Sequence, residues 1–329
     1  GHEVVVGSRG PERHMAVDTS GYLAELSLAH PRVSVKDLPK RGDGWRAFAG
    51  SVRAVRNALR YRHPELRVAT ALAERADAHL AKQAPKIAAR GLPRSWPAAA
   101  ALSAVARFVE AAIPTDPKID EVVASLSPDV IVVTPLVDFV SYQVDYVKTA
   151  KRLGIPVAMA VASWDNLTNR GLVRIAPDRV LVWNEHQKRE AITYHDVPAS
   201  DIVVTGAPRF DDFFAMHPTS SREAFCARAG LDPSRPFLLY LCSSHFVAPD
   251  EVSFVRRWAD AVRQDASLSD CGILVRPHPA NAEPWEGTSG LDGIANAAVW
   301  KESPKVQADP ALYDSLHHCA AVAGLNTSA

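Results

Sequence analysis

"DVIVVTPLVDFVSYQVDYVKTAKRLGIPVAMAV" (129–161) decides the fold class. It opens on Val130, Ile131, Val132 and Val133, an apolar run with no polar alternation. Val140, Val144, Val147 and Leu153 follow at helical spacing, with Asp138 placed to cap the helix and Gly154 to stop it. "IPVAMAV" (155–161) is then a second apolar run. Strand, amphipathic helix, strand is a βαβ unit, and strands apolar on both sides belong to a parallel sheet covered on both faces.

The same rhythm extends in both directions. Downstream come "RVLVWN" (179–184), a helix over 184–194 that opens on Glu185 and His186, and "DIVVTG" (201–206). Upstream, "HEVVVG" (2–7) reads as a short strand, and 45–112 reads as Ala-rich helices interrupted at Pro64, Pro85, Pro93 and Pro97. After the polar link "GAPRFDDFFAMHPTSS" (206–221) the pattern restarts with "PFLLYLCSS" (236–244). A helix with Asp250 as cap and Phe254, Val255, Trp258 and Val262 on one face comes next, then "GILVRPHP" (272–279). A helix opening on Asp309-Pro310 leads into the strand "AAVAG" (320–324). The expected fold is therefore α/β: two Rossmann-like parallel-sheet domains, 1–206 and 207–329, facing a cleft. The first carries a basic helical insertion over about 40–112.

The 329 residues are 47% hydrophobic and 22% charged, the composition of a soluble globular protein. No apolar run reaches the roughly 18 residues of a membrane span, and no secretory signal is visible. Cys226, Cys242, Cys271 and Cys319 show no C-x-x-C spacing. They read as small buried hydrophobes in a reducing cytoplasm, and not as a zinc site or disulfide framework. Formal net charge is zero, yet 40–94 holds 13 Lys/Arg against 4 Asp/Glu, an excess of nine that the rest of the chain balances. Such a block suits an anionic membrane surface or acidic polymer; a solvated helical face is the plain alternative. G-x-G-x-x-G, G-x-x-x-x-G-K-[ST] and G-x-S-x-G are all missing, which demotes dehydrogenase, kinase and serine-hydrolase readings.

Chemistry gathers at strand tips of the second domain. One tip is Ser243-Ser244-His245, the next is Arg276-Pro277-His278, and the last is Asn326-Thr327-Ser328. These side chains are hydrogen-bond donors with no carboxylate among them, which describes an anion site. A helix opened by "NTSA" would add backbone N–H groups for phosphate. Arg276 could clamp two phosphate oxygens, and His278 could donate to a leaving phosphate. Pro277 and Pro279 stiffen that tip. In the first domain, "VASWDNLTNRG" (161–171) follows a strand, and Asp165 is either a general base or a turn residue hydrogen-bonding its own backbone. No metal-ligand spacing is present; the adjacent His317 and His318 point to different sides of a helix.

At this point "DRVLVWNEHQKREAITYHDVPASDIVVTGAPRFD" (178–211) resembles the end of the first domain of GT-B glycosyltransferases. "VRPHP" (275–279) and "LYDSLHHCAAVAGLNTSA" (312–329) resemble the donor-binding half of the CDP-glycerol glycerophosphotransferase and capsule-polysaccharide transferase group. The resemblance covers about 130–329 well and the rest loosely. It implies a metal-independent transferase with no resident cofactor. A glycosyl or glycerophosphoryl group would pass from a nucleotide-diphosphate donor to a cell-envelope polysaccharide or lipid-linked acceptor. Ser243, Ser244, His245, Arg276, His278, Asn326, Thr327 and Ser328 would hold the donor, with Asp165 and His278 catalytic. The implied setting is cytoplasmic, on the inner membrane face through 40–94, with no nucleic-acid partner. The group's Trp-His-Gly loop stands here as Trp164-Asp165-Asn166, which favours sugar over phosphoglycerol transfer. The family's pattern also implies segments before Gly1 and after Ala329. A non-hydrolysing nucleotide-sugar 2-epimerase and a non-catalytic nucleotide-binding protein of GT-B type are the alternatives.

Overall fold

The amino-terminal apolar run forms β1 (Val4–Ser8), which pairs in parallel with β2 (Val33–Asp37) across α1 (Thr19–Ala29) in a computed structural model that describes residues 1–8, 19–245, 247–285, 290–301 and 309–325. Helices then fill the Ala-rich stretch: α2 (Arg46–Arg60), α3 (Thr70–Gln83), α4 (Pro85–Arg90), α5 (Trp96–Ala112) and α6 (Pro117–Leu126). Pro85 and Pro97 fall in the first turns of α4 and α5, where a missing N–H costs no helical bond.

The deciding stretch forms β3 (Ile131–Val133), α7 (Gln143–Leu153) and β4 (Val157–Ala160), with Gly154 left-handed at the end of α7. Next come α8 (Asn166–Asn169), β5 (Arg179–Val182), α9 (Glu185–His195) and β6 (Ile202–Val204). The sheet is parallel throughout, in the order β3-β4-β5-β6. Asp138 does not cap α7, which starts five residues later; its carboxylate pairs with Arg170 at 2.6 Å instead.

The second part holds α10 (Asp211–Ala215), α11 (Arg222–Ala229), β7 (Phe237–Leu241), α12 (Glu251–Gln264), β8 (Gly272–Arg276), β9 (Ala297–Val299), α13 (Pro310–His318) and β10 (Ala321–Gly324). Its sheet is also all parallel, ordered β10-β7-β8-β9. Counted from the β9 edge, the strands run third, second, first, fourth, the order of a mononucleotide-binding half. The chain divides into two compact units, residues 1–10 with 26–208 and residues 11–25 with 209–329.

Strand parity builds the second core. Phe237, Leu239, Leu241 and Leu274 pack with Phe225 and Trp300 and against Leu312 and Leu316 of α13. Tyr240, Cys242, Ile273 and Val275 point the other way, onto Val255, Ala259 and Val262 of α12. Both faces are thus covered. Cys226, Cys242 and Cys271 are buried and unbridged, as small hydrophobes.

α2 narrows the surface reading of the basic block, of which Arg46, Arg67, Arg75, Lys86 and Arg94 are exposed while four other arginines are buried. Its Ala54, Val55, Ala58 and Leu59 pack with Leu80, Ala84 and Ala99. Its opposite face, Arg53, Arg56, Asn57 and Arg60, is buried as well. Arg41, Arg53, Arg56 and Arg60 are only 4–9% exposed, so neither a membrane-docking nor a solvated face describes them. Among the described residues no single helix is long and apolar enough to cross a membrane; α5 and α6 pass that test only jointly and are bent by 65°.

His195, at the end of α9, yields a pH prediction. Its Nδ1 accepts from the Val173 N–H at 3.0 Å and its Nε2 donates to the Leu167 carbonyl at 2.8 Å, so the buried ring is neutral. Burial, and then Arg60 nearby, hold its pKa well below the usual histidine range. The unfolded chain gains a proton below about pH 6.5 that the folded chain refuses. Stability therefore falls as pH drops below that value, by up to about 1.4 kcal/mol per pH unit from this group. Urea unfolding of His195→Gln between pH 6.5 and 5 is expected to show a shallower decline; an unaltered slope would exonerate His195.

Candidate functional site

Register fixes the edge at which the second-unit candidates gather. Leu241 is level with Arg276 across β7 and β8, and Gly324 is level with Leu241 across β10 and β7. The segments leaving these strands, 242–245, 277–278 and Leu325, emerge side by side on the carboxyl edge. Gly324 allows this closeness: a Cβ there would stand 2.8 Å from the Leu241 carbonyl oxygen. Asn326, Thr327 and Ser328 lie outside the described residues.

At the β7 tip, Ser243 is buried, Ser244 half-buried and His245 exposed. The Ser243 N–H turns inward, donating to both carboxylate oxygens of Glu251 at 2.9 Å. The Tyr240 hydroxyl reaches the same carboxylate at 3.3 Å. Glu251 opens α12 and is 3% exposed; burial raises its pKa above the usual carboxylate range. Asn281 Nδ2 donates to the Ser243 carbonyl at 3.3 Å. The Ser243 hydroxyl is buried with no hydrogen-bond partner among the described residues. His278 is half-buried, and burial lowers its pKa, which favours a neutral imidazole at pH 7.

Arg276 does not lie over the edge as a phosphate clamp. Its Nη2 pairs with Asp309 Oδ2 at 2.6 Å, and its Nη1 donates to Ser315 Oγ at 2.9 Å and the Ala311 carbonyl at 3.0 Å. The guanidinium stacks on Trp300, 4.8 Å from the ring centroid. Period-2 alternation gives the reason: residue 276 shares a face with Leu274, and that face is covered by α13. Asp309 meanwhile caps α13 through Ala311 N at 3.0 Å. The expectation of an edge without carboxylates is corrected at two places, Glu251 and Asp309, which the starts of α12 and α13 bring to the strands. Asp250, expected to cap α12, makes no side-chain cap bond. Its neighbour Glu251 reaches back to Ser243 instead.

In the first unit, the carboxylate of Asp165 stitches its own loop. It accepts from Ser163 Oγ at 2.7 Å and from Asn169 Nδ2. Asn166 Oδ1 accepts from Ala162 N and Ser163 N, both at 3.1 Å. Gln187 Nε2 donates to the carbonyls of Ser163 and Trp164 at 3.2 Å. The Asp165 carboxylate is thus held by the side chains of Ser163 and Asn169, and not by the backbone bond that the turn alternative expected.

No protein-family model matches this chain, and no curated protein sequence does. Among solved structures it is similar to the UDP-GlcNAc 2-epimerase of Neisseria meningitidis bound to UDP-GlcNAc, at 12% identity and TM-score 0.45, covering 98% of this chain and 76% of that one. The UDP-GlcNAc 2-epimerase of Methanocaldococcus jannaschii gives 12% identity and TM-score 0.43 over 68% of this chain. This chain spans 61% of that enzyme's length. A co-structure of S. aureus MnaA with UDP gives 14% identity and TM-score 0.42, covering 62% of this chain and 54% of that one.

Proposed function

We propose that the second unit binds a nucleotide-diphosphate sugar at its carboxyl edge and that the protein is an enzyme acting on that sugar, as a metal-independent glycosyltransferase. One observation carries the reading. Strand order reverses between β7 and β10, and ligands of open parallel sheets bind beyond the carboxyl ends at such a switch point. The tip of β7 there is Ser243-Ser244-His245, and β10 leads into Asn326-Thr327-Ser328. His278, one strand away, is half-buried and would donate to a diphosphate oxygen as negative charge builds on the leaving group. Arg276 serves the site by fixing β8 to α13.

Calorimetry with UDP, CDP, UDP-GlcNAc and CDP-glycerol tests the binding. His278→Ala is expected to weaken the preferred nucleotide at least tenfold with stability unchanged. Equal affinity in variant and wild type removes the site. Incubating the bound donor alone separates two chemistries: an isomeric sugar indicates 2-epimerase action in place of transfer.

A further inference from the structure

We propose that the first unit holds a phosphate-class oxyanion on Arg56, Arg60 and Arg174 together with the amide of Asn57, beneath the loops that follow β3 and β4. The inference stands apart from the nucleotide reading of the second unit.

Charge accounting comes first. Arg41, Arg53, Arg56, Arg60, Lys148 and Arg174 are all buried in this unit. The carboxylates near them are taken. Asp43 and Asp145 pair with Arg41, while Asp145 and Glu110 pair with Arg53. Glu190 bonds His186 through Oε1, an ion pair only when that histidine is protonated. Lys148 rests on the carbonyls of Glu110 and Ile113, at 2.5 and 2.6 Å.

The other three guanidinium groups meet only neutral carbonyls in the bonds described. Arg56 Nη1 donates to the Arg174 carbonyl at 2.8 Å. Arg60 donates to the carbonyls of Arg170, Gly171 and Leu167. Arg174 Nη2 donates to the carbonyls of Asp138 and Phe139, at 3.0 and 2.8 Å. Each of these side chains then has buried donors left over. Arg56 Nε, Arg60 Nε, Arg174 Nε, Arg174 Nη1 and Asn57 Nδ2 have no partner among the described residues.

Arg56, Asn57 and Arg60 all bond one segment, 170–174, which carries Arg174 itself. Arg56, Asn57 and Arg60 share a face of α2. Asn57 Oδ1 accepts from Leu172 N at 3.2 Å. A side chain at Gly171 would come within 3.0 Å of Asn57 Oδ1 and 3.1 Å of Arg174 Nη2, so both lie against that glycine. Burial, with Arg53 nearby, pushes the pKa of Arg174 down to about 9, still charged at neutral pH. Glu110 Oε2 and Glu190 Oε2 are buried acceptors without a partner among the described residues; Glu110 already answers Arg53, and Glu190 bears on Arg60 alone of the three arginines. Water would satisfy the spare donors without adding negative charge beside three guanidinium groups that no carboxylate pairs directly in the bonds described, whereas an oxyanion supplies both, and guanidinium forks suit its oxygens.

The test uses the full chain in phosphate-free buffer, with melting followed as sodium phosphate is titrated against sodium chloride at equal ionic strength. Phosphate is expected to raise the midpoint by several degrees with saturation, and chloride to have little effect. Asn57→Asp keeps the acceptor for Leu172 and supplies a fixed negative charge. It is expected to raise the phosphate-free midpoint and weaken the phosphate response at least tenfold, an arm that remains readable where Arg174→Met fails to fold. His278→Ala is expected to leave the response intact, which separates this site from the second-unit edge. Glycerol 3-phosphate acting as strongly as phosphate supports the site and assigns it to a phosphomonoester; a response to phosphate alone supports it for the free anion. Phosphate no better than chloride, or an Asn57→Asp variant that melts lower with its phosphate response unchanged, overturns the proposal.

Discussion

Arg276→Ala is expected to cost about 3–5 kcal/mol of stability, the range for removing one partner of a buried ion pair. The loss has three physical parts. Asp309, whose side chain is 13% exposed, is left as a largely desolvated carboxylate that keeps, among the described residues, its cap bond to Ala311. Ser315 and the Ala311 carbonyl lose a charged donor. Trp300 loses the cation stacked on its face. Arg276→Lys is not expected to rescue, because an ammonium cannot reproduce the fork to Asp309 and Ser315 while covering the indole. In the double variant Arg276→Met with Asp309→Asn no charge is stranded, so it is expected to lie closer to wild type than Arg276→Ala does. Urea unfolding, with hydrogen exchange to localise the loss to the second unit, reads all three. A change below about 1 kcal/mol with nucleotide affinity abolished would return Arg276 to a ligand-binding role.

What the sequence disclosed divides along physical lines. Apolar runs between amphipathic helices announced both parallel sheets, because a strand buried on both faces has no polar alternation to hide it. β9 went unread: three residues, Ala297–Val299, are too short for a period to register. The direction of Arg276 was legible in principle from its parity with Leu274, but that parity matters only once α13 is known to cover the face. Asp309 was recognised as a cap; its second role, 33 residues from Arg276, is tertiary. The cationic face of α2 was read as exposed because charged faces usually are. Its burial depends on Asp145, 92 residues from Arg53, and on Glu110, 57 residues away, pairings that local pattern does not encode.

That last pairing carries the second large effect. Asp145→Ala is expected to destabilise the first unit by about 3–5 kcal/mol. Asp145 Oδ1 accepts from Arg53 Nη2 at 2.7 Å and Arg41 Nη1 at 3.2 Å, and its Oδ2 accepts from Arg53 Nη1 at 3.0 Å. Removing it leaves Arg41 with Asp43 alone and Arg53 with Glu110 alone, in a neighbourhood that already holds Arg56, Arg174 and Lys148. Arginine cannot shed its proton at neutral pH to escape the cost. Added salt is expected to recover little, since buried charges are poorly screened. Asp145→Asn keeps the shape and one acceptor oxygen and still loses the charge, so it is expected to fall between wild type and Asp145→Ala. Pairing Asp145→Leu with Arg53→Met removes the bidentate partner as well, and a recovery of at least about 1 kcal/mol relative to Asp145→Leu alone is the mark of a coupled buried pair. Strict additivity of those two changes, measured by urea unfolding, would mean that Arg53 is stabilised by Glu110 and solvent rather than by Asp145.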